Sequence, residues 1–439
     1  MLLLGLVRLS LSLFLLSNLI ATIVLIGYDY HHATALSVKE HSYKSVIIKD
    51  PDLKAEVVFK GLKFPTSMAF LGPNDILVLQ ENNGAVKRIV NGKMLPEALV
   101  HVNVATEGGR GMLGIAVAKH DNGSTYVFLY FIESSEIKGG DSESDATARL
   151  YRYELKDNKL INPKLLLDLK RAGSFQNGGK ILIGPDQNVY LIVGELRARD
   201  ILTRNIQGGL PPDGSSGILR VTQDGDSVRG GYILGDIDPA NKYYAYGIRN
   251  SFGMDFDPVR GKLWDSENGD RFGDEINLVE QGFNSGYSVV QGIWVPSRSD
   301  ESVAGDVAPI NPEGLVDFGG KGKYSVPEFT WYHTLGPTAL KFLNSDKLGK
   351  QYRNDMFVGV FKGGSIFHFK LNETRTGLSL VGTLADKVAD TDTEIEDITF
   401  GTGFRGITDI QVGPDGYLYI LSYEKNTAYI FKIISITSK

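Results

Sequence analysis

An apolar strand, a turn built from Pro, Asp, Asn or Gly, and a second apolar strand recur six times along this chain. The copies are Met68–Leu79, Ile115–Phe131, Ile181–Gly194, Met254–Glu267, Leu340–Phe361 and Ile410–Ser422. Turn chemistry between β-rich runs is the signature of a hairpin. Most copies lead into a further strand, such as Ala85–Val90, Arg149–Leu155, Gly217–Val221, Ser365–Leu371 and Ala428–Ile434. The copies begin roughly 40 to 85 residues apart, and blade repeats run about 40 to 50 residues with insertions in the loops of one face. The pattern predicts an all-β, six-bladed β-propeller over residues 55–439. Ala55–Phe59 is expected to add an outer strand to the last blade, so that closure leaves no long open edge.

Length alone, 439 residues, would suggest about three domains, but a propeller grows by repetition around one axis. The net charge of −6 and the absence of any Lys/Arg-rich block exclude a nucleic-acid partner. Residues 1–36 are read as a signal peptide or N-terminal membrane anchor. Met1–Leu25 is mostly apolar, Ala33-Thr34-Ala35 offers a small-residue cleavage pattern, and Leu9–Tyr28 is long enough to span a bilayer. Residues 37–54 are read as a linker. Either fate of the leader puts the body outside the cytoplasm, secreted or anchored at the outer face of the membrane. With no cysteine, no disulfide supports it there. Asn122-Gly123-Ser124 and Asn372-Glu373-Thr374 permit glycosylation but do not require it.

Polar and charged groups concentrate in one stretch, Tyr246–Tyr287. Arg249-Asn250 stand before the strand-like run Phe252–Phe256, and Glu267-Asn268-Gly269-Asp270 and Asp274-Glu275 follow the next one. A guanidinium and several carboxylates at the ends of adjacent strands suggest a site, because loops at strand ends carry function on a rigid scaffold. The ordered pieces Gly247-Ile248-Arg249-Asn250, Ser266-Glu267-Asn268-Gly269, Asp274-Glu275-Ile276-Asn277 and Gly282–Tyr287 resemble the soluble glucose/sorbosone dehydrogenases. That family consists of six-bladed propellers that oxidise sugars with calcium and pyrroloquinoline quinone (PQQ). The resemblance implies that Arg249 meets the quinone, with Asn250 and Asn268 beside it. It also puts Lys362 and Thr334 against the cofactor. Gly269 and Asp270 would offer calcium ligands, which are oxygens, including backbone carbonyls. Asp274 would orient catalytic groups. A sugar or polyol would be the substrate, and an external acceptor would take the electrons.

The sequence departs from that family at Gln176, where the family carries the histidine that takes the hydroxyl proton. Gln has no useful pKa and cannot act as a general base. Phe175 and Gly109 also replace polar groups that touch sugar in one branch. Among seven histidines, His333 alone lies in a loop expected to overhang the site, and it is the candidate replacement base, with Asp274 as the alternative although the family uses that residue to orient rather than to abstract. The alternative is a non-catalytic calcium-binding propeller that recognises a glycan or protein at the cell surface; a calcium-dependent lactonase has no motif support. Gly109–Gly114 fits a dinucleotide-binding fingerprint, but a strand pair follows it where a helix is needed. Two long segments, Glu133–Thr147 and Trp294–Trp331, are expected to be loops, the second a possible wall over the site.

Overall fold

The computed structural model describes residues 46–135, 146–196, 205–300, 302–423 and 427–436. The leader, the first half of the expected linker and the middle of the Glu133–Thr147 loop lie outside them. Within them the chain is an all-β propeller. Each of the six recurrent units forms the opening hairpin of its own sheet of four or more strands. The first strands pack side by side in sequence: Pro65–Gly72, Met112–Lys119, Ile181–Ile183, Ser251–Phe256, Pro337–Phe342 and Gly406–Val412. The last of these returns to pack on the first, so the inner strands form a closed ring. A seventh, two-stranded ribbon pairs Trp294–Pro296 with Ala304–Val307.

The core lies between sheets, one apolar cluster for each neighbouring pair. Phe128, Tyr130, Leu191 and Tyr243 join the second and third sheets. Trp264, Trp331, Phe342 and Phe367 join the fourth and fifth. Leu62, Met68, Ile76 and Ile430 join the sixth and first. Full burial of one such side chain contributes about 1.5–3 kcal/mol, so each interface is held by several large residues rather than by one.

The ring is tied by the chain's two ends. Leu53–Leu62 pairs antiparallel with Ala428–Ser435, Leu53 opposite Ser435 and Leu62 opposite Ala428. This is the closing strand expected around Ala55–Phe59, extended in both directions. Ile47–Ile48, inside the stretch read as linker, pairs with Thr399–Thr402 at the edge of the fifth sheet. Trp294–Trp331 is less of a loop than its composition predicts. Besides the ribbon, Lys323–Tyr324 adds a parallel edge to the third sheet, and Phe329–His333 begins before the segment ends. Among the described residues one α-helix occurs, Asp392–Ile398, with a capping box between Thr391 and Glu394.

Candidate active site

The site is built on the fourth sheet, where Ser251–Phe256, Leu263–Glu267 and Phe272–Val279 run antiparallel. Their register puts Ser251, Glu267 and Glu275 in one row at the same end. The chain enters this end through Gly247 at φ 72°. A Cβ there would meet Asn284 Oδ1 at 2.0 Å, so only glycine fits.

Glu267 then fixes Arg249. Its Oε1 accepts the Arg249 backbone N–H at 2.6 Å, and its Oε2 accepts the Ser285 hydroxyl at 2.6 Å. The guanidinium reaches across the turn. Nη1 donates to the carbonyls of Asn268 and Gly269 at 3.0 and 3.1 Å, and Nη2 pairs with Asp270 Oδ1 at 2.8 Å. The Tyr287 ring lies 5.8 Å from it.

Asn250 ties two sheets together. Its side-chain oxygen accepts the Gly178 N–H at 3.1 Å, and its carbonyl accepts the Asn268 N–H at 2.8 Å. Asp274 does the same on the other side. One carboxylate oxygen accepts Gly269 N–H at 2.9 Å; the other accepts Leu335 and Gly336 N–H at 2.5 and 2.8 Å. Burial pushes Asp274 up to about 6, against the pull of those three donors. Lys362 Nζ donates to the carbonyl and hydroxyl oxygens of Thr334 at 2.9 and 2.8 Å.

These groups line one cleft of about 810 Å³. It brings together Gln176, Arg249, Asn250, Asn268, Gly269, Asp270, Asp274, Thr334 and Lys362. Phe175 and Gly109 line it as well. Gln176 stands there in a left-handed backbone conformation, φ 60°, its carbonyl accepting the Leu196 N–H.

His333 is the exception and a correction. It is exposed, outside the cleft lining, and its ring packs 5.0 Å from Tyr332. It pairs across the sheet with Phe272 as the last residue of its strand, while Tyr332 leans on Trp294 of the two-stranded ribbon. The chain reaches the cleft only at the following turn, Thr334–Gly336, which Asp274 pulls in. Four lining residues escaped the sequence reading as site residues: Phe252, Arg271, Tyr287 and Gly336. Each lies within five residues of a recognised motif position, and that adjacency was the available signal.

The arrangement offers three cationic side chains, Arg249, Arg271 and Lys362, beside a turn of oxygen acceptors and an aromatic rim of Phe175, Phe252 and Tyr287. The oxygens of Asn268, Gly269 and Asp270 converge on one cationic group, the Arg249 guanidinium. Oxygens of this kind suit a hard cation such as calcium, which takes about six to eight of them; this turn supplies three, all bonded to Arg249 in this structure. An 810 Å³ cleft with three cationic side chains fits a planar polycarboxylate.

A family model described as Glucose / Sorbosone dehydrogenase matches residues 62–432. An uncharacterised protein of Synechocystis sp. is 27% identical over 404 residues, 88% of each chain. The aldose sugar dehydrogenase YliI of Escherichia coli is 26% identical over 385 residues, 85% of this chain and 91% of the relative. The PQQ-bound aldose sugar dehydrogenase of Streptomyces coelicolor superposes with a TM-score of 0.62 at 19% identity. That superposition covers 87% of this chain and 98% of the other.

Proposed function

This chain belongs to the glucose/sorbosone dehydrogenase family, and on that premise we propose that it oxidises a sugar or polyol with PQQ and calcium. The observation that carries the reading is the convergence of Arg249, Lys362 and the Asn268–Asp270 turn on one cleft. Arg249, Asn250, Asn268, Thr334 and Lys362 would hold the cofactor; the oxygens of Gly269 and Asp270 would hold the ion. When bound, the quinone supplies a two-electron acceptor for hydride. Arg249 places a fixed positive charge where negative charge develops on an acceptor oxygen. Asp274 keeps the Gly269 turn and the Leu335–Gly336 turn facing each other, which makes it a positioning residue. Gln176 can orient a substrate hydroxyl but cannot take its proton. Electrons then leave to an external acceptor. We read each of the six sheets as one blade, supported by the closed ring of inner strands. Export, as a secreted or membrane-anchored protein, rests on the apolar leader alone.

Titrating the purified protein with PQQ, with and without calcium, tests this through the quinone absorbance. Saturable, calcium-dependent binding and sugar-dependent bleaching support it. Binding that is equal with and without chelator overturns the calcium part, and no binding overturns the whole. The second reading, a non-catalytic calcium-binding propeller for a glycan or protein, is favoured by one observation, Gln176 in place of a base. It predicts calcium and quinone bound without turnover.

A further inference from the structure

A second cavity, about 390 Å³, adjoins the cleft and shares Gly109, Phe252, Asn268, Gly336 and Lys362 with it. Residues on or beside the inner strands of all six sheets line it, among them Ser67, Leu113, Lys180, Phe252, Thr338 and Asp409, and the proposed reaction does not use it. Its walls are largely apolar, with Leu113, Phe361 and Tyr423 among them. One carboxyl group lines it without a hydrogen-bond or ion-pair partner among the described residues: Glu81. Glu81 opens the turn Glu81–Asn83 at the end of the strand Asp75–Gln80. Its backbone N–H is bonded to the Phe64 carbonyl, and it packs on Gly111, whose φ of 104° and lack of a Cβ allow the contact.

We propose that Glu81 is the proton acceptor of the oxidation, receiving the substrate hydroxyl proton across the opening at Gly109. This rests on the quinone reading of the cleft. The step balances as follows: the carbinol C–H bond breaks and its hydride goes to the quinone. The O–H bond breaks, its proton goes to the Glu81 carboxylate, and a C=O bond forms. The proton later returns to solvent through the cleft.

Three observations carry the inference. In the cleft Gln176 cannot take a proton, Asp274 spends its carboxylate oxygens on three backbone N–H donors, and His333 lies outside. Glycine at 109 puts no side chain between cleft and cavity, although a Cβ there would meet nothing nearer than Ser174 O at 3.7 Å. The other titratable groups lining the cavity are committed. Lys180 is paired with Asp409 at 2.7 Å, Lys362 is bonded to Thr334, and burial pushes the Tyr423 hydroxyl up to about 12. Burial likewise pushes Glu81 up to about 7. An acceptor of that pKa is half ionised at neutral pH, where a general base works best.

The test uses the full-length protein and the isosteric Glu81→Gln variant. Infrared spectra across pH 5–9, taken as wild type minus variant so that Asp274 and Glu267 cancel, should isolate one carboxyl band titrating near neutrality that the variant lacks. PQQ affinity should change less than twofold. Turnover should fall at least about a hundredfold, the lower bound for losing a general base, and its dependence on a group titrating near pH 7 should disappear. Gly109→Leu, which fills the opening, should cost turnover while keeping the Glu81 band. Equal turnover in Glu81→Gln with quinone bound, or no titrating band in the wild type, overturns this inference alone. A wild type that binds no quinone overturns it together with the reading of the cleft.

Discussion

Nη1 and Nη2 of Arg249 already bond Asn268, Gly269 and Asp270. Cofactor and ion must therefore compete with an internal ion pair, whose acid, Asp270, is half exposed. Exposed pairs contribute only about 0–1 kcal/mol, so this contact can yield to a ligand. Arg249→Ala should weaken PQQ binding at least tenfold. Asp270→Asn should raise the calcium concentration needed while leaving the fold intact. Equilibrium titration of both variants checks the pair.

Asp265 is the costliest residue of the site's support. It is fully buried, the Asn277 and Ser251 side chains beside it offset only part of the cost of its charge, and burial, followed by the nearby charge of Glu267, raises its pKa well above the usual range. A folded pKa above the unfolded one means that the folded state holds a proton the unfolded state releases. Stability from this group therefore falls as pH rises from about 4 through the folded value. Asp274 behaves the same way between about 4 and 6. Asp265→Asn should stabilise the protein by about 1–3 kcal/mol above neutrality and make little difference below pH 4. Denaturant melts at pH 4 and pH 8 measure this; an equal shift at both would rule out the charge as the cause.

At the element scale, the strand Leu53–Leu62 decides whether the ring stays closed. It alone covers the outer edge of the sixth sheet, and Leu62 at its end is fully buried against Met68 and Ile430. Leu62→Ala should cost about 2–5 kcal/mol. Removing residues 1–62 should do more, because it uncovers Ala428–Ser435 as an open β edge, a template for association. Light scattering against concentration would show self-association of the truncated protein and none of the intact one.

At the scale of the whole molecule, a site assembled from several sheets couples ligand binding to global stability. The cleft draws Gly109 from the turn before the second sheet, Gln176 from the entry to the third, Arg249 from the entry to the fourth, Asp274 from the fourth itself, and Lys362 from a turn of the fifth. A ligand that binds only the closed ring adds about 2.7 kcal/mol at a hundredfold excess over Kd. Calcium with PQQ should therefore raise Tm, and Asp274→Ala should remove most of that rise by releasing the two turns it holds.

The sequence alone determined the hairpins, their order and the closing strand, because alternation and turn residues are local and each unit can bury itself only against its neighbour. It also determined most of the cleft, since Arg249, Asn268–Asp270 and Asp274 follow one another on adjoining strands whose register is short-range. Three things only the tertiary structure decided. His333 turns away because its strand end packs toward Tyr332 and the ribbon rather than the axis. Arg249 already grips the Gly269 carbonyl and the Asp270 carboxylate of the two residues assigned to the ion, a matter of side-chain geometry that no spacing encodes. Glu81, some 170 residues before Arg249, comes beside the cleft only because the ring closes and glycine at 109 leaves the way open. Contacts across a closed ring depend on how sheets pack, and that packing leaves no trace in any window of the chain.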